Sequence, residues 1–202
     1  MEFLPAALLA FIAVAPIELP DKTFVATLVL STRYRPLAVW IGVVAAFGVQ
    51  SLVAVLAGTL ISKLPRQPVE LVAAALFAVG AVILLLGARR GAASPDEAER
   101  EYADKVAVPR SGWRAAGTSF LVLFTAEWGD LSQLLTAGLV ASGKPALPVF
   151  VGSWAALAAV SGAAVLLGKW LMKRVRPALV RYVGATVCAA LTVITVISAV
   201  TA

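Results

Sequence analysis

Apolar residues gather into six runs, at about 4–32, 37–62, 68–88, 113–141, 146–168 and 177–200. Each reaches the roughly 20 residues that a helix needs to cross about 30 Å of hydrocarbon, so the pattern predicts six transmembrane helices. The first and fourth runs are longer than a crossing requires. Both carry charged residues near their midpoints, which predicts tilt, a kink or a local break there. The connections are short except for Arg89 to Gly112, the one segment of soluble character. Within it, Ser94-Pro95-Asp96-Glu97 reads as a helix start and predicts a short surface helix through about Lys105. The acidic residues on that helix are read as a solvated face.

The polar interruptions repeat. At a constant offset of 109, Glu18 matches Glu127, Asp21 matches Asp130, Thr23 matches Ser132, Pro36 matches Pro145 and Pro68 matches Pro177. The chain is therefore expected to be two three-helix halves. Residues 1–88 form the first repeat, 89–112 a cytoplasmic linker with a short helix, and 113–202 the second repeat. Three is odd, so the second half enters the membrane from the opposite side. The expected fold class is all-α integral membrane, six transmembrane helices as two inverted three-helix repeats, an architecture whose ion sites lie at the midplane between the halves.

Composition agrees. With 61% hydrophobic and 14% charged residues, the chain is far more apolar than the roughly 45–50% apolar, 25% charged norm of soluble domains. The net charge of +6 does not point to nucleic acid, because the basic residues stand at the ends of apolar runs and no basic patch is interleaved with aromatics. Thirteen lysines and arginines fall on the first, third and fifth connections and three on the other side. By the positive-inside rule, both termini lie outside the cytoplasm. Trp40, Trp113, Trp170, Tyr34 and Tyr182 fall near the cytoplasmic ends of spans, where an interfacial belt is expected. Glu2 stands where a signal peptide would carry positive charge, so the first run is read as a retained span. There is no histidine and one cysteine, Cys188, which excludes an imidazole relay, an internal disulfide and a cysteine-held metal. Proton or metal chemistry must use oxygen ligands, with carboxylates as the titrating groups.

Charges inside an apolar span are expensive and mark ion pathways or proton relays. Glu18 and Asp21 are three apart, hence on one helical face, and Glu127 and Asp130 repeat that spacing. Four carboxylates against Lys22 carry a nominal charge of −3, which repels itself strongly at low dielectric. Such a cluster must hold a divalent cation or take up protons, and alternation between those states is what a cation/proton exchanger requires. Pairing of Glu18 with Lys22 accounts for only one charge of each sign. Thr23, Ser132, Gln133, Lys22 and Gln50 are further candidates for ligation or coupling. Pro16 and Pro20 would release the carbonyls of Ile12 and Pro16 from helical bonding, and these could also face a cation. Gly80, Gly87, Gly152, Gly162 and Gly168 are read as sites of close helix packing, and Trp128 and Trp154 as packing residues.

The paired Glu-x-Gly-Asp-(Lys/Arg)-(Ser/Thr) pattern on the first helix of each half resembles the calcium/manganese:proton antiporter family of the Golgi transmembrane protein 165 and its bacterial manganese-exporting relatives. The resemblance covers nearly the whole chain. It implies transport of Ca²⁺ or Mn²⁺ against protons, with Glu18, Asp21, Glu127 and Asp130 as the metal site and Thr23, Ser132 and Gln133 beside them. Pro20 stands where the family pattern has glycine, and Leu131 where it has a basic residue. The expectation is a non-enzymatic exporter of a divalent cation, Mn²⁺ in preference to Ca²⁺, without a prosthetic group. Its partners are the cation and the lipid bilayer, its place a bacterial inner membrane, and its assembly a monomer or homodimer. Rival readings are an exporter of amino acids or other small organic solutes, and an intramembrane aspartyl enzyme built on Asp21 and Asp130.

Overall fold

The computed structural model describes residues 3–19, 22–90, 112–174 and 177–201, and every regular element among them is an α-helix. Eight helices follow in order: α1 (Phe3–Glu18), α2 (Lys22–Arg33), α3 (Pro36–Ile61), α4 (Arg66–Arg90), α5 (Trp113–Ala126), α6 (Leu131–Ala141), α7 (Ala146–Arg174) and α8 (Pro177–Thr201). Four of them, α3, α4, α7 and α8, contain stretches long and apolar enough to cross a membrane. The chain is an integral membrane protein.

The first and fourth apolar runs are each occupied by two shorter helices. Helix α1 ends at Glu18 and α2 starts at Lys22; α5 ends at Ala126 and α6 starts at Leu131. At about 1.5 Å per residue, none of these four pieces covers about 30 Å of hydrocarbon alone, whereas each consecutive pair does. At the second motif, described throughout, the interruption expected at the charged residues is a full break in the helix. The surface helix expected over 94–105 lies outside the described residues.

Proline sets several starts. Pro36 opens α3 behind an extended Arg35, and Pro177 opens α8, positions where the missing amide hydrogen has no helical partner to lose. Helices α3 and α7 form the centre: α3 packs on α5, α6 and α2, and α7 packs on α1, α2 and α3. Helices α4 and α8 make the most extensive pairing in the molecule and flank this centre, α4 resting on α6 and α8 on α1. Their outer faces expose Leu71, Val72, Val79, Val82, Ile83, Val193, Ile194 and Ile197, as lipid-facing helices should. At the end of α4, the Arg181 guanidinium donates to the Gly87 carbonyl at 2.9 Å, a cation at a helix C-terminus.

Small residues allow the closest approaches. A Cβ on Gly42 of α3 would run into the Ala116 carbonyl of α5, and a Cβ on Gly152 of α7 would run into the Ala7 carbonyl of α1. Gly80, Gly87 and Gly162 also abut neighbouring side chains, as anticipated, whereas Gly42 was not singled out from the sequence. Two indoles clasp the central pair: Trp40 Nε1–H donates to the Ala158 carbonyl at 3.0 Å, and Trp154 Nε1–H to the Val44 carbonyl at 2.9 Å. The belt expectation needs correcting here. Tyr34 is buried and Trp40 faces α7, because both find protein partners; Trp113 and Tyr182 are exposed, and the Trp170 side chain lies outside the described residues.

Candidate cation site

The second motif is laid out in detail. Glu127 caps the C-terminus of α5, its amide donating to the Leu123 carbonyl at 3.0 Å. The chain then turns through Trp128 and Gly129, and the Asp130 amide returns to the Glu127 carbonyl at 3.3 Å. Gly129 has φ +80°, the third-position geometry of a type II turn, which glycine adopts without a steric penalty. Asp130 is the N-cap of α6: one carboxylate oxygen accepts from the Ser132 amide at 3.2 Å and from the Ser132 hydroxyl at 2.9 Å. Gln133 staples the turn, donating to the Glu127 carbonyl at 2.9 Å while its Oε1 accepts from the Gly129 amide at 3.2 Å.

The break places the two carboxylates in opposite fields. Glu127 stands at the carbonyl end of α5, where partial negative charge gathers and a cation is welcome. Asp130 stands at the amide end of α6, where an anion is stabilised.

Gln50, midway along α3, reaches this break: its side-chain amide donates to the Phe124 carbonyl at 3.1 Å. Gln50, Ser51, Ser132, Gln133, Thr136 and Leu157 line a narrow crevice between α3, α6 and α7. Leu131, standing where the family pattern has a basic residue, packs instead among apolar side chains, its Cδ1 3.0 Å from where a Cβ on Gly80 would sit and its neighbours including Cys188. Trp128 is exposed and lies against Phe124, ring centres 4.9 Å apart.

In the first motif, Glu18 closes α1 and is buried to 1% exposure. Pro20 and Asp21, and the side chains of Lys22 and Thr23, lie outside the described residues. Among the described residues, which therefore lack Asp21, no three acidic side chains converge on one point. Glu127 is buried to 6% exposure, so two carboxylates are held deep in an apolar bundle.

Several buried polar residues escaped the sequence reading. Thr27 and Thr136 obey the same 109-residue offset, a signal that was there to find, and both are buried. Ser51 and Ser153 carry no such signal; Ser153 is buried against Thr136, their oxygens 3.0 Å apart. Glu70 stands inside the third apolar run, buried between α4 and α8, where it accepts from the Ser198 hydroxyl at 3.1 Å.

A family model described as the divalent cation/proton antiporter GDT1 matches residues 6–92 and 115–202, which takes in both breaks and every helix of the bundle. The chain belongs to this family. Relatives at lower and higher coverage agree with the GDT1 assignment. A GDT1-like protein of Synechocystis is 34% identical over 176 residues, covering 83% of this chain and 84% of the relative. The chloroplastic protein PAM71 of Arabidopsis thaliana is 29% identical over 212 residues, 95% of this chain and 56% of its own length. A chloroplastic GDT1-like protein 1 of Oryza sativa subsp. indica is 29% identical over 208 residues, 93% and 60%. The chain thus spans little more than half the length of the plant relatives. No solved structure matches it. As a member of the GDT1 family, the chain falls among divalent cation transporters that work against protons, and not among enzymes.

Proposed function

We propose that the protein exports Mn²⁺, in preference to Ca²⁺, across a bacterial inner membrane in exchange for protons, and that Glu18, Asp21, Glu127 and Asp130 hold the ion near the midplane. The observation that carries this reading is the position of the second Glu-x-x-Asp motif, Glu127 to Asp130, at the break between α5 and α6, with Glu18 buried at the end of α1. Oxygen-only ligation suits Mn²⁺, Ca²⁺ and Mg²⁺ and disfavours softer metals. In this scheme Asp130, held by the α6 amide end, is the fixed ligand. Glu127, at the α5 carbonyl end, trades the metal for a proton, because either a cation or a neutral acid relieves that position.

The same reading takes the fold as two inverted three-helix repeats, residues 1–88 and 113–202, joined by a cytoplasmic linker and with both termini outside. Supporting it, the breaks recur 109 residues apart, and so do Ala7 and Ala116, whose carbonyls receive Gly152 and Gly42. The packing is also largely unchanged when the halves are exchanged: α1 on α7 answers α5 on α3, and α3 on α6 answers α7 on α2. Rocking of one half against the other would then expose the site alternately.

The test is metal movement in proteoliposomes under an imposed pH gradient. The parent protein should accumulate Mn²⁺ or Ca²⁺, and Asp21→Asn and Asp130→Asn should each lower the rate at least about tenfold. Variants that move metal at the parent rate would remove these residues from the site. Transport of an organic solute indifferent to divalent metal would overturn the cargo.

A further inference from the structure

We propose that Thr27 is an additional ion-path residue, supplying a neutral oxygen to the passing cation or its hydration water one helical turn beyond Thr23. The inference deepens the proposed cation site and rests on it. Thr27 and Thr136 match at the offset that relates the acidic motifs, and each lies four residues after the hydroxyl residue of its motif, Thr23 or Ser132. Residues four apart share a helix face, and Thr136 stands one turn beyond Ser132 on α6, as Thr27 stands one turn along α2 from position 23.

The two threonines are in different circumstances. Thr136 is satisfied: its hydroxyl donates to the Ser132 carbonyl at 2.7 Å and accepts from Ser153 Oγ–H at 3.0 Å. It also lines the polar crevice with Gln50, Ser51, Ser132 and Gln133. Thr27 is fully buried at 0% exposure, yet its hydroxyl makes no hydrogen bond among the described residues. A threonine in an apolar helix ordinarily bonds its own backbone four residues back, as Thr125, Thr186, Thr192 and Thr201 do here. The position matching Ser153 in the first half is Val44, so the partner is absent by sequence.

An unpaired hydroxyl in a low-dielectric interior costs stability, and valine has nearly the same shape without that cost. A threonine there offers an oxygen to something other than the protein. The cargo is suited to it, since a hard divalent ion accepts neutral oxygens and keeps waters that need partners of their own.

The experiment compares Thr27→Val, Thr27→Ser and the parent in Mn²⁺-driven proteoliposome transport, with melting of the purified protein in detergent alongside. Thr27→Val should raise the KM for Mn²⁺ about tenfold, a loss of one good oxygen contact, while melting at or above the parent temperature. Thr27→Ser should restore the parent KM. Thr136→Val should instead lower the melting temperature, because it breaks the bond to Ser153. Parent-like KM and rate in Thr27→Val would overturn the inference, as would parallel loss of melting temperature and transport. Absence of metal transport by the parent itself would locate the failure in the cation reading rather than in Thr27.

Discussion

Gly129 is where a single backbone torsion decides the shape of the second break. Its φ of +80° lets the Asp130 amide close onto the Glu127 carbonyl, and that closure leaves Asp130 free to cap α6. The matching position in the first motif is Pro20, a residue type whose ring disfavours a φ of +80°. The two motifs therefore differ in sequence at the position that shapes the second turn. Gly129→Ala forces an L-residue into the left-handed region at a cost of about 1–2 kcal/mol. The expected outcome is weaker metal binding and a lower melting temperature, measured by metal titration and thermal unfolding in detergent. Gly117→Ala is the control, since a Cβ there meets nothing within 4 Å and should be neutral. The charged residues of the motif were plain in the sequence. The contacts of its neutral residues were not, because residue type does not show that the Gln133 and Gln50 side-chain amides donate to the Glu127 and Phe124 carbonyls at the end of α5.

At the scale of elements, the seams between helices decide stability. Gly42 and Gly152 bring α3 and α7 against the carbonyls of Ala116 and Ala7, and each contact leaves no room for a methyl group. Backbone does not yield as a flexible side chain does, so Gly42→Ala and Gly152→Ala should each cost about 1–3 kcal/mol through overpacking. Thermal melting of the purified variants, read against Gly117→Ala, checks this; unchanged melting would mean the seam is looser than drawn. Length and hydropathy were enough to find the four long apolar helices, and proline marked the starts of α3 and α8. Which glycine faces a neighbour was not legible, because a helix that is apolar all round has no polar face from which to infer orientation. Tyr34 and Trp40 illustrate the same limit: residues of interfacial type were assigned to the interface, while packing turned them inward.

For the whole molecule, the asymmetry between halves becomes a question of charge. The proposed site carries four carboxylates and one lysine, and Lys22 has no basic counterpart because Leu131 packs among the apolar residues of α4 and α8. Lys22→Leu would take the nominal charge from −3 to −4. A divalent ion gains from every added negative charge at low dielectric, so Mn²⁺ should bind more tightly at fixed pH and require more acid for release. Metal titrations at two pH values read both effects; unchanged affinity and unchanged pH dependence would leave Lys22 a structural residue.

What the residues alone determined is the solvent, the repeat and the chemistry. Long apolar runs admit only a membrane, a constant offset of 109 relates the two motifs, and a chain without histidine and with one cysteine leaves carboxylates to do ionic work. These are local or periodic properties, readable without knowing what touches what. Only the tertiary structure decided that the helix breaks completely at the second motif, that Asp130 caps α6, that Leu131 faces the flanking pair, and that Thr136 has a partner where Thr27 has none. Each of these depends on which face of a helix meets which neighbour. Hydrophobicity alone cannot specify that in a bundle whose every helix is apolar.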